Sequence, residues 1–435
     1  MHKLRIFSLL LSSMISIDLF AQSTTSSPYS RFGMGSLSES ISPDQSAIGG
    51  TSVVYSDEHT INFNNPATYS SVKTKSFLLS TSLVSHSSVF STNSLNQSTN
   101  NTQLGHISVL MPLISNFSLS TGILPFSEVG YLIENRENDP LLGDVDYLYS
   151  GNGGVNNYYI GSSYKITKDL HIGVNISYLF GGINRDRMLN FNDPNIFNTQ
   201  SLDRTNISGY LLKSGMIYRK RLSNDQEINF GLTYSPSSSV QSKRTLLGNT
   251  YEIVNDVLSV KDTFLNVVDT GSITLPRDLS FGFSYLNSRW HVYANYSYSD
   301  WKNFNIIYND DIFTDSLNNS IRLSIGTQFT PNVESINKFW QTVNYRFGTK
   351  FQKSYVNLTG DPFLERSISF GLGMPVKRSN TFYNLSFEVG ERGISAADNY
   401  FFSTKTNYKL IKERYLRVML GITFKGIWFV KRKYN

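Results

Sequence analysis

Residues 170–180 decide the fold class, and they read Leu-His-Ile-Gly-Val-Asn-Ile-Ser-Tyr-Leu-Phe. Every second residue from Leu170 to Phe180 is apolar, whereas His171, Asn175 and Ser177 fall between them. Because successive side chains of a strand point to opposite faces, this alternation predicts a β-strand with one apolar and one polar face. The same pattern recurs at Leu279/Phe281/Phe283/Tyr285, Ile368/Phe370/Leu372/Met374, Tyr383/Leu385/Phe387/Val389 and Leu416/Val418/Leu420/Ile422/Phe424.

Segments of this kind number 14 along the chain. An even number of antiparallel strands is typical of a closed bacterial outer-membrane barrel. The sequence therefore predicts an all-β protein, a 14-stranded antiparallel transmembrane β-barrel in the bacterial outer membrane, surrounded by its lipid. The predicted strands cover residues 75–87, 103–113, 117–126, 154–166, 170–181, 207–222, 226–235, 275–287, 290–301, 319–329, 341–351, 365–377, 381–391 and 414–425.

The lengths of the connections support this topology. Links after the even-numbered strands are short, as at 114–116 and 223–225, and only 330–340 is longer. Links after the odd-numbered strands are long, and they include 127–153, 182–206, 236–274, 302–318 and 392–413. Outer-membrane barrels have short periplasmic turns and long extracellular loops, so we expect the long links outside the cell.

The composition excludes several other classes of protein. Charged residues make up 17% of the 435 residues and aromatic residues 14%, against roughly 25% charged residues in an ordinary soluble domain. Beyond residue 20 there is no run of about 18 apolar residues that could form a membrane-spanning helix. Cysteine is absent, so the chain has neither disulfides nor thiol ligands. The net charge of +6 is dispersed, which makes nucleic acid an unexpected partner.

Three regions follow from these patterns. Residues 1–22, with Lys3 and Arg5 before an apolar stretch and Ala21 after it, predict a signal peptide. Residues 23–74 are rich in Ser, Asn and Gly and precede the first strand. Residues 75–435 form the predicted barrel and end in the basic tail 431–433, which either docks a periplasmic partner or anchors the chain at the interface.

Catalysis finds little support in the sequence. The six His residues are scattered, and none has a metal-binding spacing such as HExxH. His171 falls on the polar face of a strand, where it could pair with a Ser, but Ser is abundant on these faces. We therefore expect no enzyme, no cofactor and no metal.

Alternation also places charged residues on the face opposite the lipid. A positive lumen would attract an anionic head group. Alternatively, these side chains pair with Glu388 and with Asp44, Asp57 or Glu58 of the N-terminal region, and both readings stay open. The predicted lumenal charges are Lys165, Lys213, Arg219, Arg322, Arg346, Lys350, Glu388 and Arg417.

Several motifs resemble those of the FadL-type outer-membrane transporters of long-chain fatty acids and aromatic hydrocarbons. Residues 48–54 carry Gly49 and Gly50, and residues 63–67 end in Asn65, Pro66 and Ala67; both are similar to the N-terminal hatch of that family. Later elements of the family are similar to Leu275-Pro276-Arg277 and Trp301-Lys302-Asn303-Phe304. Two further segments, residues 27–35 and 428–433, look like those of a less characterised branch related to FadL.

The resemblance implies a lumen plugged by residues 23–74 and passive entry of a hydrophobic small molecule, fatty-acid-like or aromatic. It also implies lateral exit through an inward kink of the third strand, for which Gly122, Pro125 and Phe126 are the matching residues. Alternatively, Pro125 simply ends that strand. A second function also stays open, in which the barrel is a non-transporting scaffold or partner subunit of an outer-membrane machine for protein secretion or assembly.

Overall fold

The fold is given by a computed structural model that describes residues 27–91, 96–193, 195–255, 257–309, 311–313, 317–335, 337–357, 362–376, 379–393 and 411–427. The predicted signal peptide and the basic tail lie outside the described residues. No helix in the described ranges is long and apolar enough to cross a membrane.

Strands account for most of the described chain. The first ten are β1 (Ser36–Leu37), β2 (Ser76–Ser91), β3 (Asn96–Ile114), β4 (Phe117–Asp139), β5 (Gly143–Lys165), β6 (Leu170–Phe191), β7 (Asn198–Ser223), β8 (Gln226–Ser235), β9 (Ser238–Val254) and β10 (Val257–Leu275). The others are β11 (Asp278–Leu286), β12 (Trp290–Ser299), β13 (Asn305–Tyr308), β14 (Asp311–Phe313), β15 (Ser320–Phe329), β16 (Asn344–Asn357), β17 (Pro362–Pro375), β18 (Thr381–Arg392) and β19 (Lys412–Ile427).

Helical turns are short and few in the described ranges. A four-residue helix, α1 (Pro43–Ser46), lies near the N-terminus. The 3-10 turns are Pro28–Arg31, Pro66–Ser71, Trp301–Asn303 and Phe339–Gln341.

Fourteen of the strands close into an antiparallel barrel, which confirms the predicted count. They follow one another in the order β2 to β8, β11, β12 and β15 to β19, and β19 pairs with β2 to close the ring. Closure satisfies the backbone hydrogen bonds that a membrane leaves without water. On β6 the apolar side chains of Ile172, Ile176 and Phe180 are exposed, whereas His171 and Asn175 are buried. Apolar side chains are thus outside and polar side chains inside, the reverse of a soluble protein, so the outer wall faces lipid and the inner wall faces the lumen.

The barrel wall is much taller on one side than on the other. Strands β8, β11 and β12 have 10, 9 and 10 residues, about the length that crosses a membrane. Strands β4 to β7 have 22 to 26 residues and therefore continue well beyond it.

The predictions of long loops at 127–153 and 182–206 were wrong. Residues of the first range extend the pair β4 and β5, and residues of the second extend the pair β6 and β7. The predicted loop 236–274 is likewise the hairpin of β9 and β10, and the predicted loop 302–318 contains the short strands β13 and β14. Cross-strand pairs form this extension, so it needs no apolar face toward lipid and the alternation weakens there.

The segment between Ser27 and Lys75, here called the plug, packs against the inner wall of the barrel. Its residues from Ile41 to Thr51 are buried without interruption. At the tall end, plug residue Met34 lies in an apolar cluster with Val129, Leu179 and Trp301 of the wall. At the short end, plug residues Phe63 and Tyr69 lie in a second cluster with Leu78 and Tyr159.

Candidate functional site: the plugged lumen

The hatch residues predicted from the sequence lie at the contacts between plug and wall. Asn65 caps the 3-10 turn Pro66–Ser71, and its Oδ1 accepts a hydrogen bond from Ala67 N–H at 3.0 Å. The Asn65 Nδ2 donates to Val53 O at 2.6 Å and to Met216 O of β7 at 3.3 Å. Asn65 thus ties a turn, the plug chain and the barrel wall together, which a shorter or apolar side chain could not do.

The plug backbone packs against pairs of glycines that are direct cross-strand partners in the wall. Gly326 of β15 lies opposite Gly348 of β16, and a Cβ on Gly348 would stand 2.1 Å from the Gly49 nitrogen. Gly49 itself has φ +73, a conformation that favours glycine. The same arrangement occurs where Gly231 and Gly282 meet Val53, and where Gly173 and Gly215 meet Asn65 and Pro66.

The sequence analysis did not predict these glycine pairs, because it treated glycine only as a small residue of the polar face. A signal was available. Glycine weakens a strand interior, so a glycine in mid-strand often marks a close backbone approach. Gly50, also predicted for the hatch, has φ +76 next to Gly49 and continues the turn.

A buried ionic cluster joins the plug to the wall on β16 to β19. The Lys350 ammonium lies 2.5 Å from a Glu39 oxygen, 3.0 Å from Glu365 and 2.9 Å from Glu388. Arg417 Nη1 donates to Glu388 at 3.0 Å and lies 3.5 Å from Glu39. Glu388 and Arg417 are direct cross-strand partners on β18 and β19.

Glu39 is the plug carboxylate in this cluster, and the sequence did not single it out. Burial alone would raise the pKa of the Glu39 carboxyl, but the Lys350 ammonium, with Arg322 and Arg417, holds that pKa well below its usual range. The plug carboxylates named from the sequence have other partners: Asp44 accepts from Thr60, Asp57 from His59, and Glu58 pairs with Lys73 and Lys425.

The remaining predicted charges are distributed over the inner wall. Arg346 donates to Gln328 and Asn384, both at 2.8 Å. Arg219 donates to the plug residues Ser56 and Ser71. Lys165 lies opposite His171, whose Nδ1 shares a 2.6 Å hydrogen bond with plug residue Ser70. His171 is 2% exposed, so it holds the plug instead of facing a substrate.

A cavity of about 330 Å³ remains between plug and wall. Its lining is mixed, with apolar side chains such as Leu124, Phe126 and Trp301. It is also lined by Lys213 and Arg322, which have no carboxylate within ion-pair distance in the described part of the chain. No group of three or more His, Asp and Glu side chains in the described ranges could hold a metal ion.

The cavity reaches a break in the barrel wall. The β3–β4 ladder ends at the pair Ile107 and Ile123, and β4 then pairs only with β5 and with plug strand β1. Phe126 is the extra residue of a β-bulge between Pro125 and Ser127. Gly122 is the next rung below the break, where a Cβ would stand 2.5 Å from Ile107 O. Proline in a ladder removes one donor, which is consistent with a bulge at this place.

These features define a bacterial outer-membrane β-barrel, as the sequence predicted. Its solved structural neighbours include toluene transporters. The Pseudomonas putida toluene transporter TodX is 15% identical, with a TM-score of 0.59 over 90% of this chain and 100% of TodX. The Ralstonia pickettii toluene transporter TbuX is 12% identical, with a TM-score of 0.59 over 89% and 98% of the two chains.

A third neighbour is a FadL homologue from Pseudomonas aeruginosa, 9% identical, with a TM-score of 0.57 over 88% of this chain and 98% of that one. At these identities the likeness concerns the fold, which agrees with the FadL-type resemblance seen in the sequence. No curated protein sequence matches the chain. The family model BamG matches residues 1–435, and the chain therefore belongs to the BamG family.

Proposed function

We propose that the protein is a channel for passive uptake of hydrophobic small molecules, fatty-acid-like or aromatic. They would enter the lumen cavity and leave sideways into the membrane between β3 and β4. The observation that carries the proposal is that Leu124 and Phe126, which line the cavity, lie where the β3–β4 ladder has ended. A path through the wall there breaks no ladder hydrogen bond, whereas elsewhere it would break several.

The chemistry of the cavity supports an amphipathic substrate. Leu124, Phe126 and Trp301 supply apolar contacts, and Lys213 and Arg322 supply positive charge. A long-chain carboxylate satisfies both kinds of surface. The structural neighbours TodX and TbuX are toluene transporters, so toluene is the second substrate to examine.

A crosslink across the break tests this route. Asn101 Nδ2 of β3 donates to Glu128 Oε1 of β4 across the break, and the chain has no cysteine. Cys residues at these two positions, joined by a short thiol-reactive crosslinker, should stop uptake of radiolabelled oleate and toluene by whole cells. The same double-Cys protein without crosslinker should take up both compounds at the wild-type rate.

A matched crosslink controls for rigidity. Met111 and Leu119 are direct partners on the same two strands, within the intact ladder. Joining Cys residues at these positions should leave uptake unchanged. Equal uptake by joined and unjoined Asn101/Glu128 protein would exclude lateral exit at this place.

A second function, as a partner subunit of an outer-membrane protein machine, is favoured by the hairpin of β9 and β10. Beyond the four residues Gly271–Thr274 that pair with β13, the outer edge of β10 has no ladder partner among the described residues. This edge exposes large apolar side chains, including Val257, Phe264 and Val268. An exposed apolar edge is a template for another chain, and native proteins normally protect it.

Native purification tests the second function. If β10 binds an outer-membrane protein, that protein should co-purify in stoichiometric amount from cells in mild detergent. The double variant Phe264→Ser/Val268→Ser should then lose the partner without unfolding the barrel. Val333→Ser, an equally exposed apolar change in the link between β15 and β16, is the matched control. Retention of the partner by the double variant would exclude β10 as its binding edge.

A further inference from the structure

The outer wall of β17, β18 and β19 changes from apolar to charged within one step toward the tall end. One outward-facing row of cross-strand neighbours is apolar and exposed: Ile368, Val389 and Leu416. Two residues further along each strand, the next outward-facing row is charged: Arg366, Glu391 and Arg414. The two rows lie about 7 Å apart along the strands, so the charged row marks the place where the apolar belt ends and lipid head groups begin.

Arg414 differs from the other cations of this region. Glu391 is shared by Arg366, whose guanidinium contacts one of its oxygens, and by Lys412, whose ammonium lies 3.3 Å from the other. Arg414 is exposed and makes no ion pair with any residue that the structure describes. Its guanidinium is therefore available to an anion from outside the chain, just beyond the apolar belt.

A groove of about 500 Å³, here called the rim groove, lies beside Arg414 on the outer wall. It is lined by Arg414 and Leu416 of β19, by Ser87 of β2, and by Ser98 and Asn100 of β3. All five side chains are at least partly exposed and face outward, so the groove opens toward the membrane and not toward the lumen. It combines a guanidinium, hydroxyl and amide groups, and an apolar side chain.

Polar side chains interrupt the apolar belt beside the rim groove. On β2 and β3 the belt includes the exposed Leu83 and Leu104. The outward-facing residues that follow them toward the tall end are Ser85, Ser87, Asn100 and Thr102. Ser87 Oγ donates to Asn100 Oδ1 at 3.3 Å, and Ser85 Oγ donates to the same oxygen at 3.4 Å. Because polar groups in contact with hydrocarbon are costly, this part of the wall is suited to a polar head group and not to an acyl chain.

We propose that the rim groove binds the head group of a phosphorylated glycolipid of the outer leaflet. Arg414 binds the phosphate, because a guanidinium can donate two parallel hydrogen bonds to phosphate oxygens. Ser87 and Asn100 bind sugar hydroxyls, and Leu416 contacts the beginning of an acyl chain that continues along the belt. In the orientation expected for barrels with long extracellular connections, the tall end reaches the outer leaflet, where such glycolipids are abundant. The inference does not depend on the uptake route.

Binding of a defined glycolipid tests the proposal. Full-length protein in a neutral detergent is titrated with monophosphorylated lipid A, and native mass spectrometry measures the fraction of barrel that carries one lipid. Arg414→Gln should weaken binding about tenfold or more, because a hydrogen-bonded charge is lost. Arg136→Gln is the matched control and should bind as the wild type does, since Arg136 is an exposed arginine of the tall end that pairs with Asp146.

Three further compounds separate the parts of the head group. Dephosphorylated lipid A lacks the anion and should bind about tenfold or more weakly than lipid A. Phosphatidylglycerol has a phosphate but no sugar, and should also bind more weakly. Inorganic phosphate in large excess should not displace lipid A, because it makes no contact with Leu416 or the apolar belt.

A second variant leaves the charge of the wall unchanged. Ser87→Leu/Asn100→Leu extends the apolar belt across the rim groove, and it should lose lipid A binding while the barrel remains folded, as heat-modifiable migration on gels would show. Equal binding by the wild type and either variant of the groove, or equal binding of lipid A and its dephosphorylated form, would overturn the proposal. Phosphatidylglycerol bound as tightly as lipid A would overturn the assignment to a glycolipid.

Discussion

Single residues show where sequence reasoning reaches its limit. Alternation placed Glu388 and Arg417 on the inner face, and on β18 and β19 they are direct partners. Glu39 was not predicted, because its role comes from a contact between the plug and Lys350 of β16, more than 300 positions away along the chain. No local pattern encodes a contact of that range.

Replacing members of the ionic cluster should have non-additive effects. Glu388→Gln should lower the free energy of unfolding by about 3–5 kcal/mol, because it leaves buried cations with one carboxylate fewer. Adding Arg417→Gln should cost much less than Arg417→Gln alone, since the two side chains contact at 3.0 Å. Urea unfolding of the four proteins in detergent measures the coupling, and simple additivity would contradict the pairing.

Asp57 should make plug stability depend on acid pH. Burial raises the pKa of its carboxyl, but hydrogen bonds from His59 outweigh this and bring the pKa to about 2. Because this lies below the ordinary value of about 3.9, Asp57 stabilises the folded state above that pH, and the contribution is lost as the pH falls toward about 2.

Thermal unfolding measures this loss. Between about pH 4 and pH 2 the melting temperature should fall less in Asp57→Asn than in the wild type. Asp225→Asn, at an exposed turn, is the control and should follow the wild type. Parallel curves for Asp57→Asn and wild type would mean that Asp57 is not held in its charged form.

Single strands were predictable where lipid imposes alternation and unpredictable beyond it. The segment at 170–180 was assigned correctly, because its apolar side chains must face lipid. The continuation of β6 to Phe191 was missed. There the wall meets water and cross-strand neighbours instead of lipid, so the sequence around Asn184 and Arg185 resembles a polar loop.

The glycine pairs of the wall should be intolerant of a methyl group. Gly348→Ala should destabilise the protein by about 1–3 kcal/mol, because its Cβ would meet the plug backbone at Gly49 and force a shift. Limited proteolysis of the plug and thermal unfolding measure the effect. At Gly182 a Cβ would meet the flexible Asn206 side chain at 3.1 Å and the Thr205 backbone oxygen at an ordinary contact distance of 3.9 Å, so Gly182→Ala should be close to wild type. Equal stability of the two variants would show that the plug does not seat on Gly348.

The whole barrel was predictable because two independent patterns agreed. The alternation of apolar and polar residues predicted 14 strands. The regular change between short and long links predicted that consecutive strands are antiparallel neighbours, as they are in the structure. The height of the wall was not predictable. The links 127–153 and 182–206 were long because they contain further strand, and their pairing as extensions of β4 to β7 depends on the neighbouring chain.

Labelling of intact cells should establish which end of the barrel faces outward. An epitope inserted between β9 and β10, at the tip of the tall end, should bind antibody on unbroken cells, because long connections of such barrels are extracellular. An epitope inserted between Asn224 and Asp225, in the two-residue turn between β7 and β8, should bind only after the cells are opened. Heat-modifiable migration on gels would show that both proteins are folded. Antibody binding at Asn224 on intact cells would reverse the orientation, and with it the side from which the cavity fills.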